Sequence, residues 1–162
     1  MRLRELKEKD VDGMLSWMHS EDTKNIFIKD FSKYNRSKVL DFIKSKNDKY
    51  NINLACVDDD DNYLGTVSLK NISLENLNAE YAISFKNEAH GTGAARFATE
   101  QILKIGFEKL KLKKIYLNVL STNKRAINFY EKVGFIKEGC FKNHVKKNEK
   151  YINLLWYAIE KE

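Results

Sequence analysis

The chain has 162 residues, of which 43% are hydrophobic, 12% aromatic and 32% charged, a profile that excludes a disordered segment and fits one domain, residues 1–162, around one core. The formal charge of +6 comes from 29 basic and 23 acidic residues, but the densest lysine group, Lys142, Lys146, Lys147 and Lys150, is broken by Glu149 and lacks interleaved aromatics, so no nucleic-acid partner is expected. No apolar run approaches ~18 residues, no signal peptide opens the chain, and Cys56 and Cys140 lack metal-ligand spacing, so a cytoplasmic protein with reduced thiols, no metal and no membrane partner is expected.

Leu3 to Leu6 reads as an opening strand. Asp10 is placed to cap a helix in which Val11, Met14, Leu15 and Met18 follow helical spacing. A polar stretch follows, then Ile26 to Phe31, an irregular apolar segment that covers the core or lines a pocket. Val39, Leu40, Phe42 and Ile43 mark a second helix starting near Asn35. The period then changes: Ile52, Leu54 and Cys56 alternate with polar neighbours, as do Tyr63, Gly65 and Val67, and Asp58 to Asn62 joins the two strands. That acidic cluster lacks the central Gly, flanking helices and distal Glu of a helix-loop-helix calcium site, so it reads as a solvated hairpin turn.

A third strand, Asn78 to Phe85, runs into His90-Gly91-Thr92-Gly93-Ala94-Ala95, and a long helical pattern, Arg96 to Leu110, follows. Small residues at a helix start leave N–H groups free and aimed outward where the helix dipole is positive, a natural seat for phosphate. The same turn without a ligand is the plainer alternative. A Walker-type loop needs a Lys-Ser/Thr pair where Ala94-Ala95 stand, and a dinucleotide fingerprint needs a third Gly where Arg96 stands. Lys111 to Lys114 is a basic turn, and Ile115, Leu117 and Val119 form a strand. Ser121 or Thr122 can cap the next helix, where Ala126, Ile127, Tyr130 and Val133 share a face and Gly134 is a left-handed terminator. Strands near Phe135 to Phe141 and Tyr151 to Ile159 complete the order β-α-α-β-β-β-α-β-α-β-β, an α+β (mixed α/β) fold with helices on a mostly antiparallel sheet.

His90 to Ala95 fits the pattern Q/R-x-x-G-x-G/A except at its first position, where His90 stands. Asn123 to Phe135 fits N-x-x-A-x-x-x-Y-x-x-x-G-F throughout. In these two blocks and in strand order the chain resembles the GNAT superfamily of acyl-CoA-dependent N-acyltransferases. Ala79-Glu80-Tyr81 followed by Ile83 is similar to the branch of ribosomal-protein alanine and spermidine acetyltransferases.

The resemblance implies acetyl-CoA as co-substrate. Its pyrophosphate would lie on the turn of His90, Gly91, Thr92, Gly93, Ala94, Ala95 and Arg96, and Asn123 and Ala126 would complete the contact. Asn123 as a plain helix cap is an equal reading. The pantetheine arm would lie like an added strand beside Ile83, Ser84 and Phe85, with a backbone N–H near Phe85 facing the thioester oxygen. Tyr130, which spacing alone would make a core residue, becomes the acid that protonates the departing thiolate. Glu80 becomes the carboxylate that holds the acceptor's ammonium or takes its proton; a solvated strand carboxylate is the alternative.

His19, His90 and His144 show no triad or metal spacing, and no Ser or Cys sits in a nucleophile motif. Direct attack by the amine is therefore expected rather than a covalent enzyme intermediate. Trp17, His19, Phe27, Phe31 and Tyr34 are the candidate acceptor-binding residues, and their polar-aromatic mix favours an amino sugar. A protein N-terminus comes second, and a polyamine third, because a basic chain repels a polycation. A CoA-binding module without turnover and a basic nucleic-acid-binding protein are the readings from other classes. A homodimer is common in the family and possible here.

Overall fold

The computed structural model describes residues 1–45 and 47–162. Seven strands, β1 (Arg2–Glu5), β2 (Ile52–Val57), β3 (Tyr63–Ser73), β4 (Asn78–Phe85), β5 (Lys114–Leu120), β6 (Ile136–Lys147) and β7 (Lys150–Glu160), form one sheet in the order β1-β2-β3-β4-β5-β7-β6. Every neighbouring pair is antiparallel except β4–β5, which is parallel. Five α-helices accompany it: α1 (Val11–Met18), α2 (Glu21–Ile26), α3 (Arg36–Lys44), α4 (Ala94–Lys104) and α5 (Lys124–Val133).

Alternation along the strands divides the core. On one face Cys56, Val67, Leu69, Tyr81, Ile115 and Leu117 pack with Ala94, Ala98 and Ile102 of α4 and with Ile127 and Tyr130 of α5. On the other, Ala55, Val57 and Tyr63 pack with Val11, Met14, Trp17 and Met18 of α1 and Val39 of α3. Adjacent residues Ala55 and Cys56 thus face opposite layers, as the pleat requires.

Several local expectations are corrected. Asp10 does not cap α1. It closes a 3-10 turn, accepting from the Lys7 N–H (2.8 Å) and from both terminal nitrogens of Arg4 (2.8 and 2.9 Å) while itself only 1% exposed. The polar stretch after α1 contains α2, which carries Glu21 and Asp22 in its first turn, where the helix dipole favours them. Neither Ser121 nor Thr122 caps α5; Asn123 does, accepting from the Ala126 N–H at 3.3 Å.

The long helix begins at Ala94 and, after Lys104, widens into a π-helical turn over Ile105–Lys109. There Gly106 lies so close to the sheet that a Cβ would stand 2.6 Å from the Ile115 side chain. The last hairpin is longer than its hydrophobic pattern indicates. It turns through Asn148 and Glu149, both at positive φ (51° and 64°), the geometry of a two-residue turn between Lys147 and Lys150, which pair.

Candidate functional site between strands 4 and 5

The parallel strands β4 and β5 pair only at Asn78–Lys114, Ala79–Ile115 and Glu80–Tyr116. Beyond Glu80 they diverge: β5 remains paired with β7 through Leu120, and Tyr81 to Phe85 run on along β3 alone. The edge of β4 that faces the gap therefore carries backbone groups with no strand partner, which is what an extended ligand needs to add itself as a strand. Gly65 keeps the far end tight, since a Cβ there would stand 2.4 Å from the Phe85 ring.

At that end the chain makes a 3-10 turn, Asn87–Ala89, and enters the glycine turn. Gly91 and Gly93 have φ of 77° and 85°, the left-handed region where a side chain is strained, and a Cβ at either would meet nothing within 4 Å. The dihedrals favour glycine, and the space above them is open. The first backbone bond of α4 runs from the Phe97 N–H to the Gly93 carbonyl (3.0 Å), so the N–H groups of Ala95 and Arg96 precede the helical ladder. The fit to a pyrophosphate is good. Thr92 and Ala94 hold the turn from behind: the Thr92 hydroxyl donates to the Ala89 carbonyl at 2.5 Å, and Ala94 is fully buried beside Cys56. Burial there pushes the Cys56 thiol up to about 11, so it is no nucleophile. Burial, and then the charge of Arg125, lowers the His90 imidazole below its ordinary value.

A cleft of about 920 Å³ runs from this turn along the strand gap. Fifteen of the seventeen residues expected at the site line it: Trp17, Phe27, Phe31, Glu80, Ile83, Ser84, Phe85, His90, Gly91, Gly93, Ala95, Arg96, Asn123, Ala126 and Tyr130. Thr92 and Ala94 do not. The cap bond of Asn123 uses its carbonyl oxygen, leaving its amide NH₂ to donate elsewhere.

Tyr130 stands on α5 among Tyr81, Phe129 and Phe135, with ring centroids 5.9, 5.7 and 5.9 Å away. Its hydroxyl bonds no other described side chain or backbone group. Burial pushes the phenol well above its usual value, so the proton stays in place at neutral pH.

Glu80 is 16% exposed and sits where the strands part. The Asn71 amide donates to Oε2 (2.9 Å), the Asn118 amide to Oε1 (3.2 Å), and Lys70 Nζ lies 3.6 Å from Oε1. Asn71 reaches it because the register slips between Lys70 and Ser73 and Asn71 takes φ 51°, a bulge that re-aims its side chain. Lys70, Asn71 and the role of Asn118 escape sequence reading, because only the β3–β4 register and the β4–β5 parting bring them to Glu80.

Trp17, Phe27 and Phe31, expected to bind the acceptor, wall one part of the cleft, with ring centroids 5.1–5.7 Å apart. The Trp17 Nε1 donates to the Tyr63 hydroxyl at 3.0 Å, and that hydroxyl meets Thr66 Oγ1 at 2.7 Å. His19 and Tyr34 are off the cleft: His19 Nε2 bonds the Tyr34 carbonyl (2.6 Å), and the Tyr34 ring packs on Phe31. Asp22 also lines the cleft, and Arg125 and Lys132 join it from α5.

A parted parallel pair, an open glycine turn at a helix start and a buried phenol across the gap define a protein built to hold an acyl thioester on a phosphate-bearing carrier. The chain belongs to the acetyltransferase (GNAT) domain family, whose model matches residues 1–136, and members of that family use acetyl-CoA as co-substrate. A spermidine N(1)-acetyltransferase of Vibrio cholerae is 38% identical over 78 residues, 48% of this chain and 45% of that protein. The chain thus spans a little under half the length of that relative. The uncharacterized N-acetyltransferase p20 of Bacillus licheniformis is 26% identical over 167 residues, 99% of this chain and 93% of p20. The crystal structure of spermidine N-acetyltransferase from Vibrio cholerae in complex with CoA and spermine superposes with a TM-score of 0.89 at 25% identity, covering 98% of this chain and 94% of that one.

Proposed function

We propose that the chain is an acetyl-CoA-dependent N-acetyltransferase whose acceptor is a linear polyamine of the spermidine class, attacked directly without an enzyme-bound intermediate. The observation that carries this reading is the Glu80 carboxylate, held at the parting of β4 and β5 by the amides of Asn71 and Asn118 and facing the same cleft as Tyr130. A primary ammonium with a pKa of ~10 needs a carboxylate to seat it and to take its proton before it can attack.

The polar-aromatic argument for an amino sugar weakens once His19 and Tyr34 leave the wall. What remains, Trp17, Phe27 and Phe31, is an apolar face suited to an alkyl chain, and aromatic faces attract ammonium groups. The Lys29 ammonium already stands over the Phe31 ring at 5.8 Å. Two carboxylates, Glu80 and Asp22, line the cleft among its basic residues and supply the local negative charge that a polyamine ammonium needs. The spermidine enzymes among the relatives support the same choice.

In the reaction, Glu80 orients the amine and takes up its proton. A backbone N–H near Phe85 polarises the thioester oxygen, worth ~3 kcal/mol for one such donor. Tyr130 hands its proton to the departing thiolate, a transfer that is slightly uphill from a phenol of ~10 to a thiol of ~8.5 and steeper here because burial raises the phenol.

Thiol release from acetyl-CoA with a panel of spermidine, spermine, glucosamine and N-terminal peptides tests the proposal. Spermidine or spermine should exceed the other acceptors in kcat/KM by about 10-fold or more. Glucosamine or a peptide at the top of the panel would replace the polyamine reading.

A further inference from the structure

We infer that Lys70 is a self-acetylation site, the chain serving as its own acceptor when acetyl-CoA is present without a competing amine. Lys70 projects from β3 directly opposite Glu80 on β4, and its Nζ lies 3.6 Å from Glu80 Oε1. Both side chains line the cleft shared by Ile83, Ser84 and Tyr130. The inference rests on the reading of Glu80 as the carboxylate that seats the acceptor: an ammonium delivered by Glu80 stands where the Lys70 ammonium already stands.

Two other lysines border the cleft. The Lys29 Nζ is held over the rings of Phe31 and Tyr34 (5.8 and 5.1 Å), and Lys132 sits in the last turn of α5. Among the described residues neither pairs with a carboxylate, so neither has a group to take its proton. The Lys70 side chain is 44% exposed and can swing on its stem while remaining tethered, which replaces capture from solution by an intramolecular approach.

The step balances. The Lys70 ammonium gives one proton to Glu80, and the freed nitrogen forms the N–C bond to the acetyl carbonyl. The C–S bond breaks and the sulfur takes the Tyr130 proton. The nitrogen sheds its second proton to restore the phenol, and Glu80 returns the first to water. The products are acetyl-lysine, the CoA thiol and one proton. Acetylation cancels the charge on Lys70 and leaves Glu80 held by Asn71 and Asn118 alone, open to an incoming amine.

The full chain is incubated with acetyl-CoA and no amine, and every lysine is followed by peptide mass spectrometry. Lys70 should gain one acetyl group at least about 10-fold faster than exposed lysines such as Lys137 and Lys142, the advantage of an oriented approach. Added spermidine should slow it, and Lys70→Arg, which keeps the cation, should abolish the signal at that peptide alone. Acetylation of Lys70 no faster than that of the exposed lysines overturns the inference. Thiol release with spermidine is read in parallel. Release with Lys70 unmodified leaves the polyamine reading standing and removes this one, whereas selective Lys70 acetylation with no spermidine turnover keeps this one and removes the polyamine as acceptor.

Discussion

Tyr130 is packed by three aromatic rings and pointed at a cleft, with a hydroxyl that serves no structural bond among the described residues. Removing that oxygen should therefore cost function and little else. Tyr130→Phe is expected to lower kcat by about 10²-fold, the usual worth of a positioned general acid, with a thermal midpoint close to that of the native chain. The pH profile carries the sign of the shift. Burial raises the phenol, so the acid form persists as pH climbs, and the alkaline fall of kcat should lie above the ordinary tyrosine value of ~10; a fall centred well below it would assign that limb to another group. Glu80→Gln is expected to raise KM for the amine by about 10-fold or more, since a charge-assisted contact is lost, while the affinity for acetyl-CoA stays the same. Equal losses for both substrates would mean that Glu80 supports the strand gap rather than the acceptor.

At the scale of the element, the glycine turn and α5 were legible because their constraints are local. Gly91 and Gly93 are read as a turn from their spacing, and they adopt positive φ; Gly134 ends α5 at φ 119°. What could not be read depends on partners distant in sequence. Asn71 reaches Glu80 through a bulge in β3, Asn118 through the parting of β4 from β5, and α2 is short and polar, with Thr23 its one buried residue. Two substitutions test whether these elements hold the site as described. Asn123→Ala removes the acceptor for the Ala126 N–H and should cost about 1 kcal/mol in chemical denaturation. Gly65→Ala drives a methyl into the Phe85 ring, and overpacking of this kind costs about 1–3 kcal/mol. Because Phe85 ends the strand beside the cleft, acetyl-CoA binding should weaken with it. A Gly65→Ala protein with native affinity would separate that strand end from the cofactor.

Across the whole molecule, the sheet does two things at once. Five of its six pairings are antiparallel and make the frame, while the one parallel pairing is kept to three residue pairs and opens the cleft. A second, more polar hollow of about 570 Å³ lies by the last hairpin and shares Asn25 with the main cleft, so it is the competing place for the cofactor. Hydrogen–deuterium exchange with and without acetyl-CoA distinguishes them residue by residue. On binding, the amides of 83–85 and 91–96 should slow markedly, because the open edge of β4 and the N–H groups of Ala95 and Arg96 in the first turn of α4 gain acceptors and the turn before them is held, and those of the β6–β7 hairpin should not change. Protection confined to the hairpin, or none in 83–85 and 91–96, would contradict the account.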